Sequence, residues 1–163
     1  MMIEAAEAGG AKRIIWSGLP SLATASGGKY PHVYHFEGKA QVTEWGRAKF
    51  ASTDVAFVNV DSGCYAQNMT SHWLIYKRNP LTFALHTPLS MMLPIIDIRD
   101  YGRFVLEAVQ HPFYATGGEI NAAAEWVTAE QIVKDVSNGL KKVTKEPSQQ
   151  LKEHCVRSNS RRS

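Results

Sequence analysis

Short, almost continuously apolar runs alternate along this chain with longer stretches of helical spacing, and that alternation constrains the fold more than any other feature. The runs are Arg13-Ile14-Ile15-Trp16, Val55-Ala56-Phe57-Val58-Asn59-Val60, Leu93-Pro94-Ile95-Ile96 and Glu119-Ile120-Asn121-Ala122. They are too short for helices, and the second is rich in β-branched residues, as strands covered on both faces are. Between them, Phe36, Ala40, Val42, Trp45 and Ala48 recur at helical spacing over 36–50, and Met69, Trp73 and Tyr76 do so over 66–76. Phe104, Val105, Ala108 and Val109 form a third such face, and Ile132, Val136 and Leu140 a fourth. Strands alternating with helices predict an α/β fold with a parallel sheet and right-handed crossovers.

The punctuation agrees with this division. Gly9-Gly10 ends a first helix over Ile3 to Ala8 with a residue at positive φ. Ser17-Gly18-Leu19-Pro20 stops the first strand, and a Gly/Ser-rich loop runs through Ser26-Gly27-Gly28. Gly38 and Gly46 weaken the helix over 36–50 without a reason visible in the sequence. Asp61-Ser62-Gly63 breaks the second strand, and Asn79-Pro80 and Thr87-Pro88 bracket an irregular stretch. Asp100 is placed to cap the third helix, which His111-Pro112 ends, and Thr128 with Gln131 makes a capping box before the last.

Several classes of function are excluded at this stage. No segment approaches the roughly 18–20 consecutive apolar residues of a membrane helix, and the acids Glu4 and Glu7 stand where a signal peptide carries bases. Cys64 and Cys155 are far apart, with no neighbouring ligand pair, and read as reduced thiols rather than as a disulfide or a zinc site. The six histidines are scattered, so no metal site is expected. The net charge of +3 arises in the tail: from Lys141 onward seven Lys or Arg face two Glu, leaving 11 bases against 13 acids before it. A nearly neutral domain is no nucleic-acid surface. The expected division is a domain over 1–145 and a basic, disordered tail over 146–163, with a cytoplasmic or nuclear location.

A nucleotide-binding doubly wound sheet opens on a strand, a glycine-rich turn and a helix. Here Gly9-Gly10 precedes the first strand, and neither GxGxxG nor GxxGxxG occurs. The order of motifs nevertheless resembles the NmrA-like family of atypical short-chain dehydrogenases/reductases. The resemblance lies in Ala11-Lys12-Arg13-Ile14-Ile15-Trp16-Ser17-Gly18-Leu19-Pro20, His35-Phe36-Glu37-Gly38-Lys39-Ala40-Gln41-Val42 and Gly63-Cys64-Tyr65-Ala66-Gln67-Asn68. It continues in Leu93-Pro94-Ile95-Ile96-Asp97-Ile98-Arg99-Asp100-Tyr101-Gly102 and from Asn121-Ala122-Ala123-Ala124-Glu125 to Ile132. It implies an incomplete doubly wound, Rossmann-like parallel sheet with helices on both faces and a small C-terminal α/β substrate region. It also implies that the chain is the C-terminal portion, without the half that carries the phosphate fingerprint.

The site residues follow from the same resemblance. Reductases of the superfamily carry Tyr-x-x-x-Lys on one helix face, the lysine holding the nicotinamide ribose and the tyrosine delivering a proton. Here the window reads His35-Phe36-Glu37-Gly38-Lys39, which makes Lys39 a cofactor-binding candidate and leaves no residue assigned to catalysis. Ser17 stands where the catalytic serine would, but with no tyrosine expected opposite it. Tyr65, Ala66, Gln67 and Asn68 follow the second strand at the edge where such folds bind ligands, and are the remaining cofactor-binding candidates. The alternative for Tyr65 and Asn68 is to cap the next helix, and that of Lys39 is to be an ordinary exposed lysine. Asp61-Ser62 departs from the family's usual Arg-Pro or Leu-Pro.

The expected function is a non-catalytic, NADP- or NAD-binding redox sensor that contacts a transcription factor. Weak cofactor binding is expected, since the phosphate-binding half is absent. The alternatives are an NAD(P)H-dependent oxidoreductase of the isoflavone-reductase-like kind and an inactive fragment. A half sheet should also expose Ile14, Ile15, Trp16, Val55, Phe57 and Val58 and favour a homodimer.

Overall fold

A computed structural model of the chain describes residues 2–70, 75–78, 81–83 and 88–143. The chain divides into two compact units, one of Met1–Gly63 and Arg99–Ala122, the other of Cys64–Ile98 and Ala123–Ser163. The basic tail expected over 146–163, with Cys155, lies outside the described residues, as do Trp73, Asn79-Pro80 and Thr87.

The first unit holds α1 (Met2–Ala8), β1 (Arg13–Gly18), α2 (Leu22–Ala25), α3 (Tyr34–Phe50) and β2 (Ala56–Ser62). The helix α4 (Ile98–Gln110) and β7 (Gly118–Ala122) return to it after the second unit. Gly9-Gly10 ends α1 as expected: Gly10 has φ +83°, and Ala11 N donates to Ala6 O and Gly10 N to Glu7 O. The sheet is parallel throughout, in the order β1-β2-β7, so β2 is central and buried from Ala56 to Asp61.

Register sorts the side chains onto two faces. Ile14, Trp16 and Gly18 share one face with Phe57, Asn59 and Asp61 of β2 and with Glu119 and Asn121 of β7. There Ile3, Ile14, Phe50 and Phe57 form the core, with Trp16, Val42 and Trp45 packed against it. Gly46 is the point of closest approach: a Cβ there would stand 2.4 Å from the Phe57 ring. The glycine that weakens the helix locally is what lets α3 seat on the sheet. An ion pair of Lys49 with Glu7 at 2.8 Å ties α3 to α1.

Val58 and Val60, on the other face, are fully buried. Arg13 Nη1 donates to the carbonyls of Ala108 and Val109, in the last turn of α4, where the helix leaves its own acceptors unpaired. The apolar patch expected of a half sheet is therefore not exposed. Ile14 and Phe57 are buried and Trp16 and Val55 half-buried because α1 and α3 cover the face they occupy, and on the opposite face Val58 is buried and Ile15 half-buried.

Other departures are local. Glu37 of α3 accepts from Ser21 Oγ at 2.8 Å and Ala23 N at 2.9 Å, fixing α2 inside what reads as a loop. Asp61 and Ser62 belong to β2, paired with Asn121 and Ala122, rather than breaking it. Asp100 sits within the first turn of α4, paired with Arg103, not at its cap.

In the second unit β3 (Cys64–Tyr65) lies parallel to β6 (Met92–Ile96), which lies antiparallel to β8 (Glu125–Thr128). The hairpin of β4 (Ile75–Arg78) and β5 (Leu81–Phe83) and the helix α5 (Ala129–Val143) complete it. The helix expected over 66–76 is a 3-10 turn over Ala66–Thr70, and Tyr76 lies in β4. Thr128 Oγ1 accepts from Gln131 N at 3.1 Å as a cap should, but Gln131 Nε2 turns to Asp135 instead of closing the box.

Candidate functional site

The carboxyl ends of parallel strands gather polar groups because the chain leaves the sheet there and backbone groups open to one side. In the first unit that edge is built around Ser17. Lys39 Nζ, one turn into α3, donates to the Ser17 carbonyl at 2.8 Å. The Tyr101 hydroxyl lies 3.0 Å from Ser17 Oγ and 3.0 Å from the Val60 carbonyl. A phenol has one proton; when Tyr101 donates it to Val60 O, the Ser17 hydroxyl can donate to Tyr101. Ser17 therefore does face a tyrosine, contrary to expectation. It comes from α4, 84 residues away in sequence, so no local motif announces it. His35, one turn before Lys39, is exposed and meets Phe36 edge-on with ring centroids 4.8 Å apart.

Beside this cluster lies a second polar group that sequence reading missed. Thr43 Oγ1 stands 3.2 Å from Asn59 Oδ1, and Asn59 Nδ2 donates to Asp61 Oδ1 at 2.9 Å. All three residues are buried, Asp61 being 7% exposed. Burial pushes the Asp61 carboxyl above its ordinary value and the charge of Glu119 adds to the rise, while the bond from Asn59 and the charges of Arg47 and Lys39 oppose it. Gly18 makes room: a Cβ there would stand 2.0 Å from Asn59 Oδ1 and 2.5 Å from Asp61 Oδ1. The only signal in the sequence is that Asn59 and Asp61 interrupt a β-branched run with period two, which puts both on one face. An open cavity of about 300 Å³ adjoins this group.

The other candidates fall in the second unit. Tyr65 ends β3 and is half-buried, and Ala66, Gln67 and Asn68 lie in the 3-10 turn that follows. Gln67 Nε2 donates to Asp97 Oδ1 at 2.8 Å and its Oε1 accepts from Ile98 N at 3.1 Å, so this side chain is bound to the segment that follows β6. Asn68 hydrogen-bonds the Cys64 thiol, and burial outweighs that bond to raise the thiol's pKa. A half-buried thiol held protonated is a poor nucleophile. Among the described residues no group of three His, Cys, Asp or Glu can hold a metal, and no helix is long and apolar enough to cross a membrane.

The donors around Ser17 fit one end of a dinucleotide. A lysine ammonium has three donor positions, one of which is used here, and ribose hydroxyls are acceptors for the others. Nothing in the sequence supplies the glycine-rich turn that would seat the pyrophosphate.

Compared with known proteins, the chain matches the family model described as NmrA-like family over residues 1–154. No curated protein matches it.

Proposed function

The chain belongs to the NmrA-like family, whose members bind NAD(P) and are often regulatory, and from that premise we propose that it is a dinucleotide-responsive regulatory protein that does not turn its cofactor over. One observation carries the proposal: Lys39 is held at the carboxyl end of β1 by the Ser17 carbonyl, while the position one turn earlier on α3 is an exposed histidine instead of a tyrosine. The lysine supports ribose binding, and the histidine removes the proton donor that reductases of this superfamily present from the same face. Tyr65, Ala66, Gln67 and Asn68 are proposed to meet the nicotinamide end, and a transcription factor to receive the signal.

The reductase alternative draws support from Tyr101, whose hydroxyl reaches Ser17 Oγ. Its bond to the Val60 carbonyl commits that hydroxyl to the protein and weighs against it as a proton donor. The test is a titration of the chain with NADP⁺ and NADPH, followed by assays on simple quinones and ketones. Binding weaker than about 10 μM, some −7 kcal/mol, with no turnover is expected. Lys39→Ala should lose about 10- to 150-fold in affinity, the worth of one charge-assisted bond. Turnover that Tyr101→Phe abolishes would establish the reductase instead, and undiminished affinity in Lys39→Ala would remove the lysine from the site.

A further inference from the structure

We propose that Tyr101 is a positioning residue that fixes the Ser17 hydroxyl as a hydrogen-bond acceptor at the end of β1, so that this edge selects a ligand bearing hydroxyl donors. This role of Ser17 rests on the dinucleotide reading of the edge, and names the part of the ligand that the serine reads.

The number of protons decides the orientation. The Tyr101 hydroxyl lies 3.0 Å from both the Val60 carbonyl and Ser17 Oγ. A carbonyl only accepts, and a phenol carries one proton. Were that proton given to Ser17, two acceptor oxygens would face each other at 3.0 Å with no proton between them. It therefore goes to Val60, and Ser17 donates its own to Tyr101. A serine hydroxyl has one donor and two acceptor positions, so Ser17 Oγ, on an exposed residue, keeps only acceptor capacity. Lys39 supplies the opposite character at the same residue: its ammonium is bound to the Ser17 carbonyl and has donors left over. A vicinal diol meets both demands, since its hydroxyls accept from the ammonium and donate to Ser17. An ether or a ketone meets only the first.

The fold brings Tyr101 to this place. Tyr101, Phe104, Val105 and Ala108 recur at helical spacing and are turned from solvent, while Gly102, Arg103, Leu106 and Glu107 between them are exposed. Arg13 ties the far end of α4 to the start of β1 through the carbonyls of Ala108 and Val109. The phenol is thus delivered to the strand ends by a helix bound to the sheet at its other end.

The probes are nicotinamide mononucleotide and its 2′,3′-isopropylidene acetal, which keeps both ribose oxygens as acceptors and removes both donors. Each is titrated into the full chain and followed by NMR, beside NADP⁺. The mononucleotide should bind about 2- to 12-fold more tightly than the acetal, the worth of one neutral hydrogen bond. Ser17→Ala should remove that factor. Tyr101→Phe frees the Ser17 proton for an acetal oxygen, so the acetal should gain on the mononucleotide and the preference should fall. A tyrosine with a purely structural role would weaken both ligands alike and leave their ratio unchanged. In the Ser17→Ala background Tyr101→Phe should no longer move the ratio, because it acts only through the serine. A mononucleotide that does not bind, or a ratio unchanged in either single variant, while NADP⁺ still binds, would overturn the role of Ser17 and Tyr101 alone. If NADP⁺ does not bind either, the dinucleotide reading falls with it.

Discussion

Two glycines in one helix offer a test in which the same chemical change should have opposite signs. Gly38 and Gly46 both lie within α3, and neither has positive φ. A Cβ at Gly38 meets nothing within 4 Å. Gly38→Ala should therefore stabilise the chain by about 0.5–1 kcal/mol, the backbone freedom that glycine loses in a helix. At Gly46 the same gain meets the Phe57 ring, three of whose atoms would lie 2.4, 2.5 and 2.9 Å from the new Cβ. Ordinary contact needs about 3.5–4.0 Å, so the ring must retreat by about 1 Å. It has little room, being 5% exposed, stacked on Phe50 at 5.9 Å and packed with Ile3 and Ile14. Overpacking of this kind costs about 1–3 kcal/mol. Because the backbone gain cancels between the two variants, that range is also their expected difference in stability. Urea titrations of both variants at one pH, with thermal melts separated by about 2–4 °C per kcal/mol, measure it. A Gly46→Ala chain as stable as Gly38→Ala would refute the claim that α3 seats on the sheet through Gly46.

Three further outcomes follow from the same contacts. Asp61 has a pKa raised above its ordinary 3.8 in the folded chain, so its contribution to stability is full below that value and is lost as pH rises through the folded pKa. Asp61→Asn removes this loss, and its stability relative to the parent should grow between acid and neutral pH by at most about 1.4 kcal/mol per pH unit; a gap independent of pH would contradict the burial. Arg13→Met keeps the aliphatic stem but frees the Ala108 and Val109 carbonyls, and should cost about 1 kcal/mol and speed amide exchange in the last turn of α4. Cys64 should alkylate more slowly than a free thiol, and Asn68→Ala should slow it further by removing the bond that lowers its pKa, as peptide mapping by mass spectrometry would show.

What the sequence shows and what it hides divide along the range of the interactions. β2 is legible because a parallel strand covered on both faces must be apolar at consecutive positions. The end of α1 is legible because Gly9-Gly10 decides it within the local chain. The segment over 66–76 misled because Met69, Trp73 and Tyr76 satisfy a helical period by chance. Ile75 and Tyr76 at its end open the first strand of a hairpin, whose pairing partner begins at Leu81. β8 and α2 are short and rest on partners far away, β8 on β6 and α2 on the carboxylate of Glu37, so neither carries a periodic signal of its own.

The candidate site divides in the same way. Lys39 could be found because a helix fixes its spacing from His35, and that spacing belongs to a recognisable window. Tyr101 could not, because its relation to Ser17 exists only once α4 has packed on the sheet. Asn59 and Asp61 stand between these cases. A buried central strand tolerates polar side chains only where partners are provided, and here those partners, Thr43 and the space left by Gly18, come from α3 and β1. The sequence thus records that two polar residues share a face of β2, while the packing determines whether they are a flaw or a site. The Thr43 hydroxyl lies within reach of both the Lys39 carbonyl and Asn59 Oδ1, and Asn59 Nδ2 donates on to Asp61 Oδ1, so the three form one hydrogen-bonded chain. The three polar side chains therefore depend on one another: a valine at Asn59 would deprive both Thr43 and Asp61 of this partner inside the sheet face.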